Sequence, residues 1–543
     1  MSDKRVLPLP LPVFSGRTEM AVYRDPPIPH YRGNPLIEAL PSIWTLTEAT
    51  RLLGHYPGHD DQHRLLPAEV RLHLILNAVQ FFEPLPIHLD LEQRFSRMIR
   101  MGYQARNPLQ QGFWREMHQR VQTLGVPDTV RGAPNAQPKA ASLPLRSTAM
   151  GFTILGLSGV GKSTAVETIL SLYPQVLYHG KYHGQDFNWV QLVWLKLDCP
   201  FDGSIKGLCL NFFQAVDHLI GTNYYENYAR QGRVTTDVLI PYVARVGSLH
   251  GLGVLVIDEI QNLSEAKSGG ASRMLNFLVQ LVNTIGVPVV PIGTYKALPL
   301  LRGEFRQARR GSGQGDLVWD RMAEDDIWQL FVESLWRYQY VRHVTKLTAE
   351  LSHVLYDVSQ GITDFAVKAY LLAQVRAITS GKESVTAGLL RSVAADSFRL
   401  AKPVLDVLRQ GDRQALARLE SRDVCPVDLE AHVQMTLGQL AARDAYAHPA
   451  QSGAMEANGS ELDPSTSVSP TRSRSKRGVG ASLTDQEHSR RPSGGIGSNT
   501  TPDRSLQQVV AEGHSRPTTA YEALRQAGLV KSACEFLEAE ARS

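Results

Sequence analysis

Cysteine is scarce: the 543 residues hold only Cys199, Cys209, Cys425 and Cys534, with no C-x-x-C pair and no metal-ligand spacing. This excludes a disulfide-stapled scaffold, a zinc ribbon and a dithiol redox site, and leaves buried or free thiols in a reducing compartment. Long apolar runs are missing too. None approaches the ~18 residues of a membrane-spanning helix, and Leu7–Pro12 is broken by alternating prolines, so it is no secretory h-region. We therefore expect a cytoplasmic protein with no membrane partner. Charge of one sign is also lacking, with 57 Lys and Arg against 53 Asp and Glu and a net charge of +4. Bulk charge thus points to no partner, and a nucleic-acid surface would have to be a local patch. There is no internal repeat, which excludes a solenoid.

What is present centres on Gly156-Leu157-Ser158-Gly159-Val160-Gly161-Lys162-Ser163-Thr164. It follows the apolar run Phe152–Leu157 and precedes the helical pattern Ala165–Leu170, so the G-x-x-x-x-G-K-[ST] spacing stands between a strand and a helix. Such a loop points backbone N–H groups at phosphate oxygens, and the following helix adds its positive end. The cradle is Gly156, Ser158, Gly159, Val160, Gly161, Lys162, Ser163 and Thr164. Lys162 reaches the β- and γ-phosphates and Ser163 ligates Mg²⁺, so the cofactors expected are ATP and Mg²⁺.

The chain around this loop reads as six segments. Residues 1–35 are rich in proline and turn formers and read as an extended arm. Residues 36–147 read as a mostly helical N-terminal domain, with Leu91, Phe95, Met98 and Ile99 on one helix face and Arg94, Arg97 and Arg100 on solvated ones. Residues 148–325 alternate strand and helix, which implies a parallel sheet flanked by helices. Its further strands are expected at Leu192–Asp198, Val254–Glu259 and Val287–Thr294, the last with prolines unusual for a central strand. Residues 326–442 read as a helical lid with following helices. Residues 443–505 are poor in apolar side chains and read as a disordered linker, with a basic cluster at Arg472, Arg474, Lys476 and Arg477 that is either solubilising or a weak DNA contact. Residues 506–543 regain a short apolar helix, with Thr519 and Glu522 as a capping box, that either docks on a partner or folds back.

Asp258 ends the third strand of the sheet, where the open face holds a ligand and a carboxylate can support Mg²⁺ opposite Ser163. Glu259 follows as the base that water attack on a γ-phosphate requires. Thr294 closes the fourth strand as either a γ-phosphate sensor or a turn cap. Arg306, Arg309 and Arg310 follow it, and either supply a guanidinium to a neighbouring subunit's phosphoryl group or form a solvated helix face.

The order of these parts resembles the AAA+ superfamily. More closely, Ala21–Asp25, Tyr31–Pro41, Ile99–Pro108, Tyr173–His179, Leu208–Phe213 and Leu255–Gln261 resemble the TnsC/TniB family, AAA+ regulators of heteromeric cut-and-paste bacterial transposons. The resemblance covers roughly residues 20 to 410 and not the linker. It implies an α/β AAA+ P-loop NTPase with a helical lid, to which the sequence pattern adds the N-terminal helical extension and composition the disordered C-terminal tail. It implies rings or filaments of the protein on duplex DNA that link a target-selector protein to the transposase; the lack of an acid cluster with metal spacing beyond the ATP site adds the expectation of no nuclease chemistry of its own. By motif, Lys162, Ser163 and Thr164 would bind ATP and Mg²⁺, Asp258 and Glu259 would support hydrolysis, Thr294 would be the sensor, and Arg310 the first choice of finger. Ser204, Lys206 and Lys267 are the candidate DNA contacts on loops after strands; the lid helix beginning near Gly361 lacks the second-sensor arginine that many AAA+ proteins place there, with Lys368 as the one substitute. Two alternatives share the P-loop: an initiator or helicase loader of replication, and a nucleotide-gated signalling scaffold that does not touch DNA.

Overall fold

The computed structural model describes residues 14–123, 151–229, 234–265, 286–297 and 315–411, with the isolated helical positions Met274, Leu275, Leu278, Val282 and Leu429. Lys267, Arg306, Arg309, Arg310, Cys425, Cys534 and everything expected of residues 443–543 lie outside the described residues.

In chain order the elements begin with β1 (Thr18–Met20), α1 (Pro35–Glu38), α2 (Leu46–Leu53), α3 (Ala68–Asn77), α4 (Pro86–Gln104) and α5 (Phe113–Thr123). Then come β2 (Ile154–Gly156), α6 (Lys162–Ser171), β3 (Val176–Tyr182), β4 (Gln185–Leu192), β5 (Trp194–Asp198), α7 (Ile205–Ile220) and α8 (Thr236–Leu249). The strands β6 (Val254–Asp258), β7 (Val289–Gly293) and β8 (Leu317–Trp319) follow. The helices α9 (Asp326–Trp336), α10 (Ala349–Ser359), α11 (Thr363–Thr379), α12 (Ala387–Ser397) and α13 (Lys402–Gln410) complete the order.

The main sheet has the order β5-β6-β7-β2-β8, and every adjacent pair is parallel. Its strands read as continuous apolar runs because both faces are covered. On β6, Val254 and Val256 enter one hydrophobic core while Leu255 and Ile257 enter the other, the period-2 alternation of a strand between two layers. The first core joins α3, α4, α6 and the lid helices; the second joins α7 and α8. The P-loop strand β2 lies between β7 and β8, so the strand order reverses beside it. Ligands of open α/β sheets bind at the carboxyl ends of strands at such a point.

A second sheet of order β1-β3-β4 stands apart. Its β1, inside the stretch read as an arm, pairs in parallel with β3. The β3–β4 hairpin turns through His183 and Gly184, with φ of +48° and +82°, as a two-residue turn matching strand twist requires. This hairpin corrects the expectation of one strand over Leu192–Asp198. Leu192 closes β4, Trp194 opens β5, and at Val193 the backbone changes partner, from Gln175 O on its own N–H to Val254 N on its carbonyl. An unbroken apolar run reports continuous burial, not membership of one sheet. β7 is shorter than the expected Val287–Thr294; Pro288 lies before it and Pro291 inside it, opposite Ile257.

On α4, Leu91, Phe95, Met98 and Ile99 are fully buried as the periodicity predicts. Arg100 corrects the solvated-face expectation: it is buried, donating to Ser96 O, Ser96 Oγ and Pro41 O. Arg94 pairs with Asp90 at 2.8 Å one turn earlier. Cys199 and Cys209 are buried free thiols.

Candidate nucleotide site

The P-loop has the backbone its glycines allow. Gly161 has φ of +95°, a conformation that side chains avoid, and it caps α6 without any side-chain acceptor. The helix therefore begins with N–H groups that no side chain of the cap takes, a ready anion site. Lys162 is buried and turns back into the loop, donating to Gly156 O at 3.0 Å and Leu157 O at 2.7 Å. Ser163 is half-buried, Val160 is buried, and Ser158 and Thr164 reach solvent.

A cavity of about 390 Å³ opens against Gly159, Val160, Gly161 and Thr164, within the size range of small-molecule sites. Its other walls come from the N-terminal segment (Phe82, Pro86, His88), from the end of β8 (Trp319, Arg321) and from the lid (Thr363, Lys368). His88 lies between Phe82 and Trp319 in tilted ring contacts, with centroids 4.7 and 5.4 Å away, and its Nδ1 accepts the Leu85 N–H at 2.9 Å. Burial pulls its pKa down to about 4, against a hydrogen bond to the Glu83 backbone. The lid meets the P-loop directly, Asp364 N–H donating to Gly159 O at 3.0 Å. Lys368 is held by Asp364 at 2.8 Å.

The two acids at the end of β6 differ sharply. Asp258 is buried, and its Oδ1 accepts the Glu259 N–H at 2.9 Å while Oδ2 lies 3.1 Å from Lys196 Nζ. Glu259 is exposed and has φ of +54°, a left-handed conformation, the kind of backbone strain found at functional sites. Its carboxyl is held above the usual range, first by desolvation and next by Asp258, with Gln261 and Lys162 pulling the other way. Gln261 joins the two strand ends: its Nε2 donates to Glu259 Oε2, and its Oε1 accepts the Thr294 N–H at 3.1 Å. Gly293 leaves room for this bridge, since a Cβ there would lie 2.7 Å from Gln261 Oε1. The Thr294 hydroxyl is buried without a hydrogen-bond partner among the described residues.

These features fit a nucleoside triphosphate with a hard divalent cation. An uncapped helix start, a buried lysine folded back over the loop, and a buried hydroxyl without a partner among the described residues suit phosphate oxygens. Ser163 and Asp258 offer the oxygen donors that Mg²⁺ prefers. Cys199 is buried beside the site, its backbone N–H donating to Asp258 O at 2.8 Å. Desolvation first, then Asp202, Glu259 and Asp198, push its thiol up to about 12.

Of the expected site residues, the structure brings the P-loop, Asp258, Glu259 and Thr294 to one edge of the sheet. Ser204 is the N-cap of α7, its hydroxyl accepting the Gly207 N–H at 3.2 Å, and Lys206 lies in the first turn, half-buried. Sequence reasoning missed Lys196 and Gln261 as members of the site, and missed the wall from Phe82 to His88. Lys196 had a signal: a lysine in the apolar run Trp194–Leu197 needs a counter-ion. Burial works against its charge, but Asp258, Glu167 and Asp198 together carry its pKa above the ordinary lysine value.

The parallel sheet, its strand order and the P-loop define an α/β AAA+ P-loop NTPase fold. A family model described as an AAA domain matches residues 145–301. Among solved structures, the chain is similar to the ORC2 protein of Aeropyrum pernix in ADPNP–ADP complexes, at 12% identity and a TM-score of 0.31, covering 54% of this chain and 80% of that one. It is also similar to the Aeropyrum pernix ORC1 protein in complex with DNA (14% identity, TM-score 0.33, 64% of this chain and 87% of that one). A third is Cdc6p from Pyrobaculum aerophilum (11% identity, TM-score 0.32, 55% and 82%). No curated protein sequence matches the chain.

Proposed function

We propose that this protein is an ATP-dependent, DNA-binding AAA+ regulator of DNA transposition, which oligomerises on target DNA and links a target-selector protein to the transposase. The observation that carries the transposition reading is spatial. Four of the separated stretches that resemble the TnsC/TniB family, Ala21–Asp25, Tyr31–Pro41, Ile99–Pro108 and Tyr173–His179, are joined to one another by hydrogen bonds. Tyr23 OH bonds His179 Nδ1 at 2.8 Å, Asn34 Nδ2 donates to Tyr103 O at 2.8 Å, and Arg24 N–H donates to Glu38 O at 2.9 Å. Arg106, from the same resemblance, donates to Leu252 O at 2.7 Å just before β6. These mostly buried links thereby reach the backbone just ahead of the strand that ends in Asp258.

At the site, Lys162 and the loop N–H groups would hold the phosphates, Ser163 and Asp258 would hold Mg²⁺, and Thr294 would offer its hydroxyl to the γ-phosphate. Bound there, ATP supplies the γ-phosphoryl group that is transferred to water. Glu259, held off the usual carboxylate range and steadied by Gln261, takes the proton of the attacking water. Binding of ATP favours the oligomer and hydrolysis dissolves it. Of the arginines, Arg310 is assigned the trans role, ahead of Arg309 and Arg306, and Ser204, Lys206 and Lys267 the contacts to DNA phosphates.

The test is electron microscopy of the full chain with duplex DNA, using a slowly hydrolysed ATP analogue, ADP, and Glu259→Gln with ATP. Rings or filaments on DNA with the analogue and with Glu259→Gln, absent with ADP, are the expected result. In parallel, Glu259→Gln should hydrolyse ATP about 10²-fold more slowly. Monomers in every state, with DNA-independent hydrolysis, would favour the signalling scaffold. Assembly that pulls down a replicative helicase rather than a transposase would favour the loader.

A further inference from the structure

Lys196 is a charged residue where the strand pattern calls for an apolar one. Trp194, Leu195 and Leu197 beside it on β5 are buried, and Lys196 itself is only 9% exposed. Its ammonium lies 2.9 Å from Glu167 Oε1, 3.1 Å from Asp258 Oδ2 and 3.5 Å from Asp198 Oδ1. The three carboxylates arrive on three elements, the P-loop helix α6, the end of β5 and the end of β6. The strand register sets Asp198 directly opposite Asp258, so two like charges face each other across adjacent strands with one cation between them.

We propose that Lys196 is a resident counter-cation that competes with the divalent cation for Asp258, so that metal is held only when a nucleotide brings its own phosphate charge. This rests on the nucleotide-site reading above. Asp258 already has a partner at each oxygen, Lys196 at Oδ2 and the Glu259 N–H at Oδ1. A metal ion arriving alone meets a carboxylate whose charge is offset by an ammonium 3.1 Å away. A metal ion arriving on a triphosphate brings oxygen ligands of its own and needs less from Asp258. The ammonium also has somewhere to go when it yields. Glu167 and Asp198 have side-chain exposures of 35% and 71% and stay within its reach, so it can shift along the triad without being stripped of every partner. Arginine would hold the carboxylates in a rigid fork; a lysine is a point charge on a flexible stem that can let go.

The experiment titrates the full-length, nucleotide-free protein with Mn²⁺ and reads free Mn²⁺ by electron paramagnetic resonance. Lys196→Gln, which keeps a hydrogen-bond donor and so guards against a folding failure of Lys196→Met, should bind Mn²⁺ at least 10-fold more tightly than wild type. Lys196→Arg, which keeps the charge, should match wild type. Adding Asp258→Asn to Lys196→Gln should abolish the gain. The proposal is overturned if folded Lys196→Gln binds Mn²⁺ no more tightly than wild type, or if Lys196→Arg gains as much as Lys196→Gln. A separate titration of wild type with fluorescent ADP and Mg²⁺ judges the nucleotide reading. Absence of binding there would overturn that reading, while the Mn²⁺ series, which uses no nucleotide, would still decide the competition.

Discussion

Two buried cations of this molecule meet carboxylates in opposite ways. Arg71 of α3, 1% exposed at its side chain, donates to both oxygens of Glu383 at 2.7 Å and to Tyr340 O at 2.9 Å. It ties the N-terminal segment to the lid by a fork that fits one geometry. Lys196 divides its charge among three carboxylates from three elements, closest to Glu167 and Asp258. The first arrangement suits a joint that must not move; the second suits a site whose occupant changes. A buried ion pair is therefore not one kind of object, and the choice of arginine or lysine marks which kind it is.

The contrast can be broken at its stronger side first. Arg71→Ala leaves Glu383 without its fork in a largely enclosed place and should cost about 3–5 kcal/mol, read as a lower denaturation midpoint in urea. Arg71→Lys should recover less than half of that loss. Full recovery by lysine would erase the distinction drawn between the two sites.

His88 sharpens it from another direction, as a buried base with no acid paired to its ring among the described residues. Its pKa is about 4 in the folded chain and about 6.5 when unfolded. Between those values the unfolded chain binds a proton that the folded chain refuses, so stability is greatest above the unfolded pKa and falls as the pH drops. The loss down to pH 4 should be on the order of 3 kcal/mol. Protonation at Nδ1 would also end its acceptance of the Leu85 N–H. Stability curves of wild type and His88→Gln between neutral and mildly acid pH check this, and the variant should lose the slope. Equal slopes would mean that His88 is not the group responsible.

The smallest effect belongs to the surface. Asp90→Asn on α4 breaks a one-turn pair with Arg94, whose partners have side-chain exposures of 46% and 18%. It should change stability by only about 0.3–0.5 kcal/mol. A loss as large as that of Arg71→Ala would undo the argument that burial and geometry, rather than charge pairing as such, set the scale.

Much of this site was legible in the sequence because its chemistry is local. The spacing from Gly156 to Thr164 dictates a loop within one contiguous stretch, and Asp258 announces itself as the acid at the end of an apolar strand. The burial of Leu91, Phe95, Met98 and Ile99 follows from helical period alone. Lys196 and Gln261 were not legible in the same way, since each acts through residues that only folding brings near. Lys196 needs Glu167 and Asp258, and Gln261 needs the backbone of Thr294 on the neighbouring strand. Arg100 misled for a related reason: a helix face that is polar by composition turned inward, because Ser96 and the Pro41 carbonyl could satisfy its donors.

By itself, then, the sequence determined that this chain carries a P-loop between a strand and a helix, that its central strands are buried on both faces, and that two acids end one of them. Those properties depend on spacing and period, which neighbouring residues settle among themselves. Only the tertiary structure decided that Leu192 and Trp194 belong to different sheets, that residues near His88 wall the cavity, and that a lysine stands between Asp258 and its neighbours. Those depend on which distant groups desolvate one another, and that is settled by packing.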